Sequence, residues 1–222
     1  MIPTEHPSSK KLPLLPVGLG AIVVLAGGLL ILRGLHVDPF AVKDRIFVFV
    51  RGVGPWAFFA AMALLPAFGM PLLPFTLLAG EAFSSRMGLG WVITLCLTAI
   101  AFNLALSYWL ARFALRPLLS RIAERFGYPI PRVTPENALS ITLLIRLTGA
   151  PYPFQCYLLG LAEVPFRLYL IASWICLLPW SIGAIVLGRG MFNGNFRLAA
   201  MGLAVLVGAA FLLQWLRRKY AS

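Results

Sequence analysis

The chain has 222 residues, 60% of them hydrophobic and only 12% charged, whereas about 25% charged residues is usual in a soluble domain. This composition excludes a soluble globular domain and predicts an all-α polytopic membrane protein. The net charge of +12 indicates cytoplasmic loops that contact anionic lipid headgroups, not a nucleic-acid partner.

The N-terminal part, residues 1–49, is predicted to hold a tail, a first span and an interfacial helix. Residues 12–32 lack charge and are long enough to cross a bilayer, which needs about 20 residues. A secretory signal has a shorter apolar region and an A-x-A cleavage site, so we expect an uncleaved span. Residues 38–51 mix apolar and charged side chains, which favours a helix lying along the membrane surface.

The following charge-free run, residues 52–80, is interrupted by four prolines and is closed by Glu81 and Arg86. Since proline disrupts a helix, we expect a helix over residues 55–65, a break, and a helical arm over residues 74–83 that turns back. The residues expected to break this first re-entrant hairpin, about residues 55–86, are Pro71, Pro74 and Gly80.

Residues 87–111 contain neither a charge nor a proline and therefore predict a full span, with Asn103 and Tyr108 as its polar features. The next stretch, residues 112–132, holds five arginines and one glutamate at spacings typical of a short amphipathic helix. A solvated cytoplasmic loop and a surface that binds lipid headgroups both fit this stretch.

The apolar stretch 141–166 contains Arg146 and Glu163. A charged side chain near the bilayer centre costs at least about 2.5–3.5 kcal/mol, so it normally faces a protein interior or a wet cavity. We expect a second re-entrant hairpin, about residues 135–166, broken at Pro151, Pro153 and Gly160.

Two further spans are predicted at residues 168–188 and 198–216, the latter within the C-terminal part 191–222. The total is four spanning helices and two re-entrant hairpins, with both termini on one side of the membrane. Most basic residues then lie on that side, which makes it cytoplasmic.

The two broken segments resemble each other, since each has closely spaced prolines, a Leu-rich stretch with glycine and a nearby glutamate. On the predicted topology they enter from opposite sides. Interrupted segments at matching places in two halves are typical of inverted repeats, whose binding site lies near the bilayer midplane.

Residues 50–190 resemble the VTT domain of the DedA superfamily, also called the SNARE-associated Golgi protein family, and are most similar to bacterial relatives of the vacuolar VTT membrane proteins. The resemblance rests on Leu144-Ile-Arg146-Leu-Thr148, Pro153-Phe154, Tyr157-Leu-Leu-Gly160-Leu161, Val164-Pro-Phe166 and Leu187-Gly188-Arg189. It implies two facing hairpins, a location in the cytoplasmic membrane, and movement of phospholipid or polyprenyl phosphate between leaflets.

The resemblance also implies site residues. Tyr108 and Arg112 match an aromatic-x-x-x-basic motif, Gly160 and Val164 begin a glycine motif, and Arg146 matches the arginine that opens the second hairpin. The chain departs from the family at Leu104, where DedA transporters typically have an acid; Asn103 stands beside it. Further departures are Gly149, Pro165 and Tyr169.

Arg146 is the leading candidate to hold a lipid phosphate, because a guanidinium matches phosphate geometry and stays charged. The alternative is a structural bond to Glu163 or to a backbone carbonyl. Glu81 and Glu163 are either proton carriers or partners of Arg86 and Arg167.

Other functions have less support. The chain has no metal-ligand spacing, cofactor motif or catalytic motif, so we expect neither a metal, a cofactor nor an enzyme. A proton-coupled small-molecule exporter and a non-transporting membrane scaffold or stress-tolerance protein remain alternatives to a lipid transporter, and a homodimer is one option for its assembly.

Overall fold

The computed structural model describes residues 39–117, 133–134, 136–148 and 150–220, with side chains described from residue 45 to residue 212 within those ranges. The chain divides into two compact units, Met1–Val48 and Phe49–Ser222. The predicted first span and most of the predicted amphipathic helix at residues 112–132 lie outside the described residues.

The described part is helical throughout and contains no strand, as the composition predicted. The described residues form eight α-helices and one π-helical segment, Leu110–Leu115, which continues the helix Leu89–Trp109. The helices are α1 (Pro39–Val53), α2 (Pro55–Leu64), α3 (Leu73–Met87), α4 (Leu89–Trp109), α5 (Ala138–Leu147), α6 (Tyr152–Leu161), α7 (Phe166–Phe192) and α8 (Phe196–Tyr220).

Among the described residues, two helical stretches are long and apolar enough to cross a membrane. They are Leu89–Leu115 and Phe166–Phe192, at the places where residues 87–111 and 168–188 predicted spans. Shorter apolar helices lie at Ala138–Leu147 and Phe196–Leu212. The chain is therefore a helical membrane protein with two clear spans in its described part.

Three local features interrupt the helical path around the first broken segment. Gly54 has a φ of 83°, and the chain bends by 97° between Arg45–Val53 and Pro55–Phe68. A 3₁₀ turn, Leu65–Phe68, ends at Gly69. The φ of Gly69 is 102°, a value that residues other than glycine rarely adopt. Pro74 then lies in the first turn of α3, where a missing N–H is tolerated.

The second broken segment shares one of these features, a proline in the first turn of the helix that follows the break. Pro151 precedes α6 with extended dihedral angles, and Pro153 occupies its first turn. Pro71, Pro74, Pro151 and Pro153 thus all lie at or next to helix starts, as expected of residues that interrupt a membrane helix.

Gly80 and Gly160 do not break the chain, which corrects the expectation from sequence. Both lie inside continuous helices, Gly80 in α3 and Gly160 in α6. A methyl group on Gly80 would overlap the backbone carbonyl of Ile185, and one on Gly160 would lie 3.0 Å from the carbonyl oxygen of Tyr108. Gly80 instead allows α3 to approach α7 closely, and Gly160 allows α6 to approach α4.

Helix α7 lies at the centre of the unit Phe49–Ser222. It packs against α3, α4, α5 and α8, and it runs through Pro179 as one helix. The α3–α7 contact is reciprocal, because Gly188 of α7 packs against the backbone of Leu77. This arrangement carries the two broken segments on one framework.

Candidate functional site

A cavity of about 680 Å³ lies where the two broken segments meet. Its wall is formed by the break before α3, the start of α6 and the middle of α7. The lining residues that matter below are Thr76, Arg146, Tyr152, Gln155, Tyr157 and Trp180.

Arg146 lies in the last turn of α5 and is only 7% exposed. Its guanidinium donates three hydrogen bonds: Nε to Ser173 Oγ at 3.1 Å, Nη1 to Gln155 Oε1 at 3.2 Å, and Nη2 to Cys156 Sγ at 3.5 Å. The first acceptor lies on α7 and the other two on α6. One side chain therefore joins three helices at the edge of the cavity.

Two aromatic rings complete the surroundings of Arg146. Its guanidinium carbon lies 5.7 Å from the ring centroid of Tyr152 and 5.8 Å from that of Tyr169. Such cation–π contacts stabilise a partly desolvated cation, but they do not cancel its charge.

Arg146 has only neutral partners among the described residues. The alternative bond to Glu163 is not formed, because the carboxylate of Glu163 lies 2.7 Å from Arg116 Nη1 instead. Burying a charge without a compensating partner is expensive in free energy. The arrangement suits an anion that enters the cavity.

Asn103 connects the two broken segments. Its Nδ2 donates to the carbonyl of Ala63 at 2.9 Å, while its Oδ1 accepts hydrogen bonds from the hydroxyls of Tyr152 at 2.9 Å and Ser107 at 3.5 Å. Asn103 therefore reaches Arg146 through the ring of Tyr152. A second link runs from the hydroxyl of Tyr157 to the carbonyl of Ala67.

The other predicted residues near α4 form a separate cluster. Tyr108 donates from its hydroxyl to the carbonyl of Val164 at 2.7 Å, and Arg112 donates to the same hydroxyl. Arg116 binds both the carbonyl of Leu161, at 2.9 Å, and Glu163. Glu163 has a φ of 56°, so this cluster fixes a strained turn between α6 and α7. None of these side chains lines the cavity.

Glu81 is also away from the cavity wall. Its carboxylate lies 3.4 Å from Arg51, whereas Arg86, the partner considered from sequence, is exposed. The structure thus brings Arg146 and Asn103 to one site. Tyr108, Arg112 and Glu163 lie in a second cluster, and Glu81 lies apart from both.

Several residues in or next to the cavity were not recognised from sequence, namely Tyr152, Gln155, Ser173 and Thr76. A usable signal existed for the first two, because Tyr152, Gln155 and Cys156 follow an i, i+3, i+4 pattern that places them on one face of a helix. Tyr169 and Ser173 have the same i, i+4 spacing, so polar groups on one face of an apolar helix pointed to the site.

The comparisons with known proteins give one match. The family model described as the VTT domain matches residues 70–190, which is more than half of the chain. No curated protein and no solved structure matches the chain.

Proposed function

The chain belongs to the VTT domain family, and from this we propose that it moves a phospholipid or a polyprenyl phosphate between the two leaflets of the cytoplasmic membrane. The observation that carries the proposal is Arg146, a buried guanidinium with neutral partners at the wall of a cavity. The positive charge of Arg146 can bind a phosphate group. In a membrane, the molecules that carry phosphate groups are lipids.

In the proposed mechanism, the phosphate of the headgroup enters the cavity and binds Arg146 while the acyl chains stay in the bilayer. Arginine suits this role because its planar guanidinium donates two parallel hydrogen bonds to phosphate oxygens. Ser173 and Gln155 hold the guanidinium in place before the lipid arrives. Because the guanidinium is already held in position, binding of the phosphate costs less side-chain conformational entropy.

The proposed topology has four spanning helices, two opposed re-entrant hairpins and both termini in the cytoplasm. Support comes from a feature that the two breaks share, since each is followed by a helix with proline in its first turn. Their meeting at one cavity is the geometry that an inverted repeat produces.

Reconstitution tests the activity. Purified protein in liposomes should speed the leaflet exchange of a fluorescent anionic phospholipid or polyprenyl phosphate, and Arg146→Ala should abolish that exchange while the protein still inserts. Arg146→Lys should retain a small fraction of the rate, about a tenth or less, because an ammonium lacks the bidentate geometry.

The matched control is Arg197→Ala, which removes an exposed arginine away from the cavity and should leave the rate unchanged. Wild-type protein that exchanges no lipid of either kind would contradict the proposal and favour the scaffold. Unchanged exchange in Arg146→Ala would remove Arg146 from the mechanism.

A further inference from the structure

The cavity wall carries a positive charge. Among the described residues that line it, Arg146 is the only one with a formal charge. The hydrogen-bond acceptors of Arg146 are a hydroxyl, an amide and a thiol, all of them neutral. A headgroup that enters the cavity therefore meets a net positive charge.

Gln155 occupies the place where an acid would cancel this charge. It is 7% exposed and lies in the cavity wall. Its Nε2 donates to the carbonyl of Ala150 at 2.9 Å, and its Oε1 accepts from Arg146 at 3.2 Å. Because a carbonyl accepts only from a donor, the amide nitrogen is fixed toward Ala150 and the oxygen toward Arg146.

The two aromatic rings that contact Arg146 offer no separate place for a headgroup cation. The rings of Tyr152 and Tyr169 both lie within cation–π distance of the guanidinium. An ammonium group brought into the same cavity would face Arg146 at short range, in surroundings where like charges repel more strongly than in water.

We propose that Gln155 determines the charge selectivity of the cavity, an inference that rests on the proposed lipid transport. With glutamine at this position, the cavity takes headgroups of net negative charge, such as phosphatidylglycerol, and discriminates against zwitterionic headgroups, such as phosphatidylcholine. A carboxylate of nearly the same shape in its place pairs with Arg146 and removes the preference.

A binding experiment tests the selectivity apart from transport. The full-length protein in detergent is mixed with equimolar phosphatidylglycerol and phosphatidylcholine, and native mass spectrometry counts each bound lipid. The wild type should favour phosphatidylglycerol by about tenfold or more, the scale of one charge interaction at short range. Gln155→Glu should reduce this ratio by about the same factor.

Gln155→Met is the matched control, because it removes both hydrogen bonds of the amide without adding a charge. It should weaken the binding of both lipids and leave their ratio unchanged. A ratio that falls equally in Gln155→Met and Gln155→Glu would overturn the inference, since Gln155 would then act only by holding Arg146. Equal binding of the two lipids by the wild type would overturn it as well.

Leaflet exchange in liposomes separates this inference from the proposed function. If the protein binds phosphatidylglycerol selectively but exchanges no lipid, lipid transport fails and the selectivity of the cavity stands. If it exchanges both lipids at one rate and binds them equally, transport stands and the role of Gln155 fails. Inorganic phosphate that displaces phosphatidylglycerol at equal concentration would show a site for a soluble anion and would overturn the lipid selectivity.

Discussion

A guanidinium buried among neutral groups keeps its full charge but loses most of its hydration. Hydrogen bonds to Ser173, Gln155 and Cys156 replace part of that hydration without supplying a negative charge. If Arg146 served only to hold three helices together, apolar packing would do so at lower cost in free energy. The residue therefore makes most sense as a binding group, and its contribution to stability should be small.

Replacing Arg146 by methionine tests this view. Methionine is apolar and flexible enough to fill the space, so Arg146→Met should leave the Tm in detergent unchanged or raise it while leaflet exchange is lost. Arg116→Met is the comparison, because it breaks the ion pair with Glu163 and the bond to the carbonyl of Leu161, and it should lower the Tm. A large fall in Tm for Arg146→Met would mean that Arg146 is structural.

At the scale of the elements, the backbone preferences of proline predicted where helices begin, whereas tertiary packing determined where two helices cross. Proline and glycine act through their own backbone, so Pro74 and Pro153 reveal a helix start in the sequence alone. Glycine weakens a helix in sequence-based reasoning, whereas the packing role of Gly80 depends on Ile185, which lies more than a hundred residues away in the chain. For that reason the sequence indicated a break where the structure has a helix crossing.

The α3–α7 crossing gives the prediction at this scale. Gly80→Val and Gly188→Val each place a side chain against backbone atoms of the partner helix, so each should destabilise the protein by about 1–3 kcal/mol or more. Gly208→Ala is the control, since a methyl group there meets nothing within 4 Å and alanine favours the helix. Thermal unfolding in detergent measures all three, and a normal Tm for both valine variants would contradict the close crossing.

At the scale of the whole molecule, the sequence predicted the helical membrane class and the central spans, and it singled out Arg146 as a candidate, but it did not show how the candidate site is assembled. The Arg146 partners lie on α6 and α7, and the sequence could not pair them before the helices were placed. Glu81 and Glu163 looked like members of the same site because each follows a broken segment. The structure separates them from the cavity wall and pairs them with Arg51 and Arg116.

This separation leads to a prediction about energy coupling. Arginine does not release its proton near neutral pH, and among the described residues that line the cavity no carboxylate is present to do so. Leaflet exchange should therefore run equally in both directions and be insensitive to a pH gradient imposed across the liposome membrane. The fluorescent phosphatidylglycerol should reach the same final distribution with and without the gradient, and Glu81→Gln and Glu163→Gln should keep exchanging it. Accumulation in one leaflet that follows the gradient and disappears in either variant would instead make that glutamate a proton carrier, as in a proton-coupled exporter.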